Sequence, residues 1–222
     1  MAPFADPDTI RVTGTDKFGN AISINFRVDL PFGSADTTPP NTPTLTASPP
    51  AYINTNSVSV EVNGEAGATV FVNGASTGST VAGNGKVTVS LNTSGADGTK
   101  NFSITLKDAD LNVSGAVSVS VLKGTVAPSS VSWANGGGYV PDTQGSSNSG
   151  MVLAGNMSFA GATGISVSST AGGTVSGVSV NGSGQLAFNY VAPFADPDTI
   201  RVTGTDKFGN SISINFIVDL PF

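Results

Sequence analysis

The chain contains one stretch twice. Residues 2–32, from Ala2-Pro3-Phe4 to Leu30-Pro31-Phe32, return 190 positions later as Ala192-Pro193-Phe194 to Leu220-Pro221-Phe222. Only two positions differ, Ala21 against Ser211 and Arg27 against Ile217. A near-perfect repeat at that distance describes a piece of a tandem array, with the tail of one unit first and the tail of the next last.

The repeat carries a strand signature. From Ser211 onward, Ile212, Ile214, Phe216, Val218 and Leu220 share one parity, and Ser211, Ser213, Asn215, Ile217 and Asp219 take the other. Such alternation marks a half-buried β-strand. Both substitutions fall on the polar parity, so the two copies share a core face. Residues 9–15 and 21–30 alternate in the same way around Asp16-Lys17-Phe18-Gly19-Asn20, which predicts a hairpin. A lone hairpin is marginal in water, so residues 1–32 need a neighbour to dock on.

Composition excludes several functions. Charged residues are 11%, the net charge is −6, and the nine Lys and Arg are scattered, which argues against nucleic-acid binding. There is no cysteine and no histidine, so disulfides and thiolate zinc sites are ruled out, and catalysis would fall to carboxylates, Ser or Lys. No nucleophile stands out among them, and no enzyme activity is expected. No signal peptide is visible, and no apolar run approaches the ~20 residues that span a bilayer, so no membrane insertion is expected. A segment from the middle of an array would lack both features anyway.

Along the chain, residues 33–43 read as a linker held extended by Pro39, Pro40 and Pro43. Residues 44–125 then give about seven short strands: 44–48, Val58/Val60/Val62, Val70/Val72, a short one near 79–81, Val87/Val89/Leu91, Phe102/Ile104/Leu106 and Val117/Val119/Val121. Turn signals such as Asn73-Gly74 separate them, the pattern of a β-sandwich. A short linker at 124–128 opens a second set over 126–222. Its strands are expected at 151–159, 163–168, 174–180 and 185–191, with the repeated tail as the last two. A Gly-rich loop at 136–150 interrupts it. Trp133, the only Trp, reads as a core residue, with a sugar platform shared with Tyr139 as the alternative. The fold class is therefore all-β, two tandem sandwiches preceded by an orphan hairpin.

The run Asp36-Thr37-Thr38-Pro39-Pro40-Asn41-Thr42-Pro43, then Gly64-Glu65-Ala66-Gly67-Ala68-Thr69-Val70, then Ala96-Asp97-Gly98-Thr99, resembles the bacterial Ig-like tandem repeats of large surface and biofilm adhesins, including RTX-type extender regions. That family's FG-loop signature, Asp-x-x-Gly-Asn, stands at Asp16–Asn20 and Asp206–Asn210, and as Asp108-Ala109-Asp110-Leu111-Asn112 with Leu111 in place of Gly. The resemblance covers most of residues 36–125 and is thinner over 129–191. It implies Ig-like sandwiches, and a stalk at the bacterial cell surface that holds a distal binding domain outward. The alternative is a glycan- or protein-binding module of an exported protein or a phage fibre, gripping through the 136–150 loop.

In an Ig-like sandwich the BC and FG loops share the pole where the incoming linker enters. Here these elements carry Asp36, Glu65, Asp108 and Asp110, which makes calcium, a hard ion seeking several oxygens, a candidate cofactor, with ordinary turn residues and no cofactor as the alternative. The 124–128 linker carries no acid, so no matching site is expected there. Asp6, Asp8, Asp196 and Asp198 lie in the EF corner and are expected only to cap a turn. Lys–Asn isopeptide staples occur in some surface Ig-like domains, but no Lys stands out at a core position. The expected partners are neighbouring repeats and, through residues 1–32, other copies of the chain joined head to tail. The two sandwiches are expected to lie end to end.

Overall fold

Every regular element in residues 8–28, 36–134 and 145–219, which the computed structural model describes, is a β-strand. β1 (Asp8–Thr15) and β2 (Ala21–Val28) form a two-stranded antiparallel sheet of their own. Its apolar face is open: Ile10, Val12, Ile22, Ile24 and Phe26 are 43–54% exposed.

The first sandwich contains β3 (Thr44–Leu45), β4 (Tyr52–Ile53), β5 (Ser57–Asn63), β6 (Thr69–Val72), β7 (Ala75–Thr80), β8 (Lys86–Asn92), β9 (Gly98–Lys107) and β10 (Val117–Lys123). One sheet is β3-β5-β8 and the other β4-β10-β9-β6-β7. Val60, Val62, Val89 and Leu91 from the first close on Val70, Phe102, Ile104, Leu106, Val119 and Val121 from the second. The alternation in these strands places each of them inward.

The strand expected over 44–48 is shortened to β3, and a further short strand, β4, follows outside that range. β3 pairs antiparallel with β5, and β4 pairs parallel with β10 in the opposite sheet. Pro49 and Pro50 between them have no N–H to extend a ladder, so the chain leaves one sheet and rejoins the other. The strand expected near 79–81 is the longer β7, led in by Asn73 and Gly74 at φ of +51° and +80°, the geometry of a tight hairpin turn.

The Pro-rich segment is not a free spacer where it is described. Pro40 and Pro43 are buried, and Thr42 lies against Gly115.

The second sandwich is β11 (Val131–Trp133), β12 (Ser147–Gly155), β13 (Thr163–Ser169), β14 (Thr174–Val180), β15 (Leu186–Val191), β16 (Asp198–Thr205) and β17 (Ser211–Val218). Sheet β11-β12-β15-β14 faces sheet β13-β16-β17, the ABED and CFG layers of an Ig-like fold. β12 starts at Ser147 rather than 151, with a bulge between Asn148 and Met151. Gly150 at φ +65° sits in that bulge, which breaks the period-2 signal at the strand's start. Residues 136–144 of the expected loop, Tyr139 included, lie outside the described residues.

Trp133 is a packing residue. Its ring meets Phe216 edge-on at 5.3 Å and Phe188 at 6.5 Å, on the rim of the core.

The repeated tail supplies β16 and β17. Ile200, Val202, Ile212 and Ile214 are at most 3% exposed, each burial contributing about 1.5–3 kcal/mol. The two positions that distinguish the copies face solvent, with Ser211 exposed and Ile217 68% exposed. The cores of the two sandwiches are separate clusters.

Candidate functional site

The Asp-x-x-Gly-Asn loops are built as clasps. In the loop joining β16 to β17, Asp206 Oδ1 accepts the N–H of Phe208 at 2.9 Å and of Asn210 at 2.8 Å. Asn210 Nδ2 donates back to Asp206 Oδ2 at 2.9 Å. Gly209 takes φ +94°, a left-handed turn that favours glycine. Asp16 and Asn20 make the same bonds between β1 and β2, and these hold the Asp16 carboxyl below its ordinary range.

The loop after β9 makes the same clasp from a weaker motif. Asp108 Oδ1 accepts the N–H of Asn112, and Asn112 Nδ2 donates to Asp108 Oδ2, both at 2.8 Å. Partial burial opposes ionisation of Asp108, but the bonds from Asn112, Asp110 and Leu111 outweigh it and lower its pKa. Leu111 is forced to φ +74°, where the other two loops have glycine.

Asn112 and Asn210 each reach one step further, to the segment entering their own sandwich. Asn112 Nδ2 donates to the carbonyl of Asp36 at 2.8 Å, and Asn210 Nδ2 donates to the carbonyl of Gly124 at 3.0 Å. Asp36 and Gly124 therefore occupy equivalent places, one before each sandwich. The clasp converts a turn signature into a grip on the incoming chain.

At the joint between the sandwiches this grip is reinforced. Phe208 meets Tyr52 edge-on at 5.7 Å, and Lys207 Nζ stands 4.9 Å from the Tyr52 ring centre. Asn54 Nδ2 donates to Asn210 Oδ1 at 3.2 Å. A Cβ at Gly124 would lie 2.8 Å from the Phe208 ring, so only glycine admits the ring there. Thr125 is tied to the first sandwich through Asp97, whose carboxylate accepts its N–H at 2.8 Å and its hydroxyl at 3.0 Å. Ala127 already packs on the second core, so the free linker is shorter than 124–128.

Of the four acids proposed for calcium, Asp36 and Asp108 are linked through Asn112, which bonds the Asp108 carboxylate but only the backbone carbonyl of Asp36, while Asp36 Oδ1 accepts the N–H of Thr38 at 2.8 Å. Glu65 lies in the turn before β6, at the same pole, and both Glu65 and Asp110 are exposed. Among the described residues no group of three or more acidic, His or Cys side chains is arranged to hold a metal ion. Both Asp108 oxygens and Asp36 Oδ1 are engaged by backbone and amide donors.

Two polar residues to which the sequence gave no place in the interior, Asp198 and Lys123, are buried. Asp198, expected only to cap a turn, has 0% exposure and accepts the Tyr190 hydroxyl at 2.6 Å and the Ala171 N–H at 3.0 Å. Lys123 at the end of β10 is also buried, its Nζ donating to Asn56 Oδ1 at 2.7 Å and the Gly95 carbonyl at 3.0 Å. A Lys beside an Asn is thus present where none was expected, although Asn56 itself is exposed.

These features define the class: tandem Ig-like β-sandwiches joined by clasped loops. No family model matches the chain, and no curated protein matches it. Among solved structures, it is similar to a Ca2+-stabilised adhesin with which an Antarctic bacterium binds ice. That match has 19% identity over 95% of this chain and 55% of the other, with a TM-score of 0.47. This chain therefore spans about half the length of that adhesin chain. It is also similar to fibronectin(III)-like modules of Clostridium thermocellum CbhA, at 11% identity over 81% of this chain and 95% of the other, TM-score 0.38. A third likeness is to a Bacteroides ovatus protein of a mixed-linkage glucan utilization locus, at 16% identity over 96% of this chain and 52% of the other, TM-score 0.28.

Proposed function

We propose that this chain is a run of extender repeats from a bacterial cell-surface adhesin, acting mechanically to hold a distal binding domain away from the cell. One observation carries the reading: the same Asp–Asn clasp grips the segment before each sandwich, Asp36 in one case and Gly124 in the other. A loop reused at successive entry points is what a stalk of repeated, oriented units requires, because each unit contacts only its neighbours. The low-charge, acidic, cysteine-free composition suits an extracellular stalk whose neighbours must not stick.

In this reading the partners are the adjoining repeats. Calcium would act as a stiffener at the pole where Asp36 and Asp108 are linked through Asn112, with Glu65 and Asp110 nearby in the chain's turns. Small-angle scattering on the whole chain tests the mechanical role. A rod is expected, and replacing Asn210 with Ala should leave both sandwiches folded but broaden their relative orientations. A compact particle, or specific retention of the chain on a glycan array, would favour a binding module instead.

A further inference from the structure

One position in the clasped loop of each sandwich aims at the sandwich before it, and in the first sandwich that position holds Leu111. We propose that Leu111 packs on the exit pole, the end where the last strand leaves, of a preceding sandwich built like the second one. The surface it fits there is the one marked by Phe194. This inference rests on the reading of the chain as a run of repeats, and it names the contact that orients the joint in front of the first sandwich.

The direction comes from the joint at Gly124. A Cβ at Gly209 would lie 3.5 Å from Asn54 Nδ2 and 3.9 Å from Asn54 Cγ, both in the preceding sandwich. Leu111 holds the same place in its own loop, between Asp108 and Asn112, as Gly209 does between Asp206 and Asn210. The two loops share their clasp bonds, and φ is +74° at Leu111 and +94° at Gly209. Asn112 holds the Asp36 carbonyl as Asn210 holds that of Gly124, so both loops face the incoming chain in the same way. A side chain at this place therefore points away from its own sandwich and toward the one before it.

The first sandwich gains little from a leucine there. Leu111 is 67% exposed, in a backbone conformation that favours glycine, and glycine stands at this place in the other two loops. A strained residue that covers little of its own core is placed for a contact outside it. Phe208, which meets Tyr52 at the Gly124 joint, is replaced in this loop by Asp110. The large apolar side chain has moved one position along, to 111.

The kind of partner follows from the repeat. Residues 8–28 match β16–β17 in sequence and in register, and they stand before the segment that Asn112 grips. A sandwich that ends in that hairpin has the exit pole of the second sandwich. Asp198 pairs with Val218 at that pole, as Gly98 pairs with Lys123 at the exit pole of the first. Three loops gather there: the Gly145 N–H bonds the Ala192 carbonyl, and the Ala171 N–H bonds Asp198. Between them lies a groove of about 540 Å3 whose lining carries no charge and, apart from Thr174, no polar side chain. Phe194 borders it and is 83% exposed. An uncharged groove beside an aromatic ring suits a leucine, as Tyr52 suits Phe208 and Lys207. Two joints of different chemistry then alternate along the array.

The test builds the joint on the full chain. Residues 33–125 are added after Phe222, so that the added sandwich follows the second through the same Phe-Gly step that joins Phe32 to Gly33. The chain has no cysteine, so spin labels on Ser213→Cys and on Ser90→Cys of the added copy, both exposed positions, report the spread of distances across the new joint. A narrow distribution is expected. Leu111→Gly in the added copy should widen it at least about twofold, because sandwiches without a fitted contact reorient freely. The same substitution in the original first sandwich should leave it unchanged. Phe194→Ser should widen it as Leu111→Gly does, with the melting of the second sandwich unaltered. A width that ignores Leu111 overturns the proposal, and so does one that responds to Leu111 but not to Phe194. Labels on Ser213→Cys and on Ser90→Cys of the original first sandwich read the Gly124 joint in the same chain. If that joint is narrow while the new one is wide, the Leu111 contact is wrong and the extender reading stands. If both are wide, the two fall together.

Discussion

The Tyr190 hydroxyl donates a 2.6 Å hydrogen bond to Asp198 Oδ2, tying β15 to β16 across the two sheets of the second sandwich, with both side chains at 0% exposure. Asp198 Oδ1 also accepts the N–H of Ala171, from the turn that follows β13. One carboxylate thus fastens three segments at the EF corner. Removing a partner leaves a buried polar group short of a bond.

Tyr190→Phe should therefore destabilise the second sandwich by about 1–3 kcal/mol, and Asp198→Ala by at least as much, since it strands both the hydroxyl and a backbone N–H. Denaturant melts followed by Trp133 fluorescence report on this sandwich alone, because Trp133 packs on its core. Melting of the first sandwich should not change.

The same pair predicts a window of pH stability. Burial alone would raise the Asp198 pKa, but the bonds from Tyr190, Ser169, Ala171 and Thr199 outweigh it and hold the carboxyl below its ordinary value. Its contribution is present above about pH 4, the unfolded carboxylate range, and is lost as the pH falls through the lowered folded pKa. The Tyr190 hydroxyl is pushed up, first by burial and then by its bond to the Asp198 charge. Its contribution is complete below about pH 10 and declines as the pH rises above that. Trp133-monitored melts across pH should fall at both ends, and Tyr190→Phe should flatten the alkaline limb.

Gly124→Ala should loosen the joint without unfolding either sandwich. The new methyl would stand 2.8 Å from the Phe208 ring, which must leave Tyr52 to make room. NMR relaxation should show the sandwiches tumbling more independently, while the two melting transitions stay within about 0.5 kcal/mol of wild type.

Leu111→Gly should stabilise the first sandwich. Leu111 is 67% exposed at φ +74°, a conformation that costs a side-chain-bearing residue about 1–2 kcal/mol. Glycine's greater freedom in the unfolded chain takes back about 0.5–1 kcal/mol. A net gain of about 0.5–1 kcal/mol is expected in chemical denaturation, with the Asp108–Asn112 clasp retained.

Calcium at the Asp36 pole has its own test. A ligand that binds only the folded state raises the melting temperature by mass action. Millimolar calcium should raise the first transition relative to chelator, and Asp36→Asn with Asp108→Asn should remove the difference. Identical melts with and without calcium would eliminate the ion from the mechanism.

Much of the fold was legible because strand structure is a local, period-2 code. Val58/Val60/Val62 and Phe102/Ile104/Leu106 announce their inward faces residue by residue, and the duplicated tail marks its own core by changing only at positions 21 and 27. The Asp-x-x-Gly-Asn loops were equally readable, since all their internal bonds lie within five residues.

The tertiary structure decided what depends on pairs far apart in sequence. Whether Asp198 is a turn cap or a buried fastener depends on where Tyr190 and Ala171 come to rest. Lys123 is buried because Asn56 and Gly95 meet it at the end of β10. Asn210 grips Gly124 across 86 positions, and Phe208 finds Tyr52 from the other sandwich. The sharpest case is the tail itself: the same side chains are buried at 200–214 and open at 10–24. Sequence determined which face of that hairpin is apolar. Only the presence of β13 and a facing sheet decided whether the face was covered, because burial belongs to the partner surface as much as to the strand.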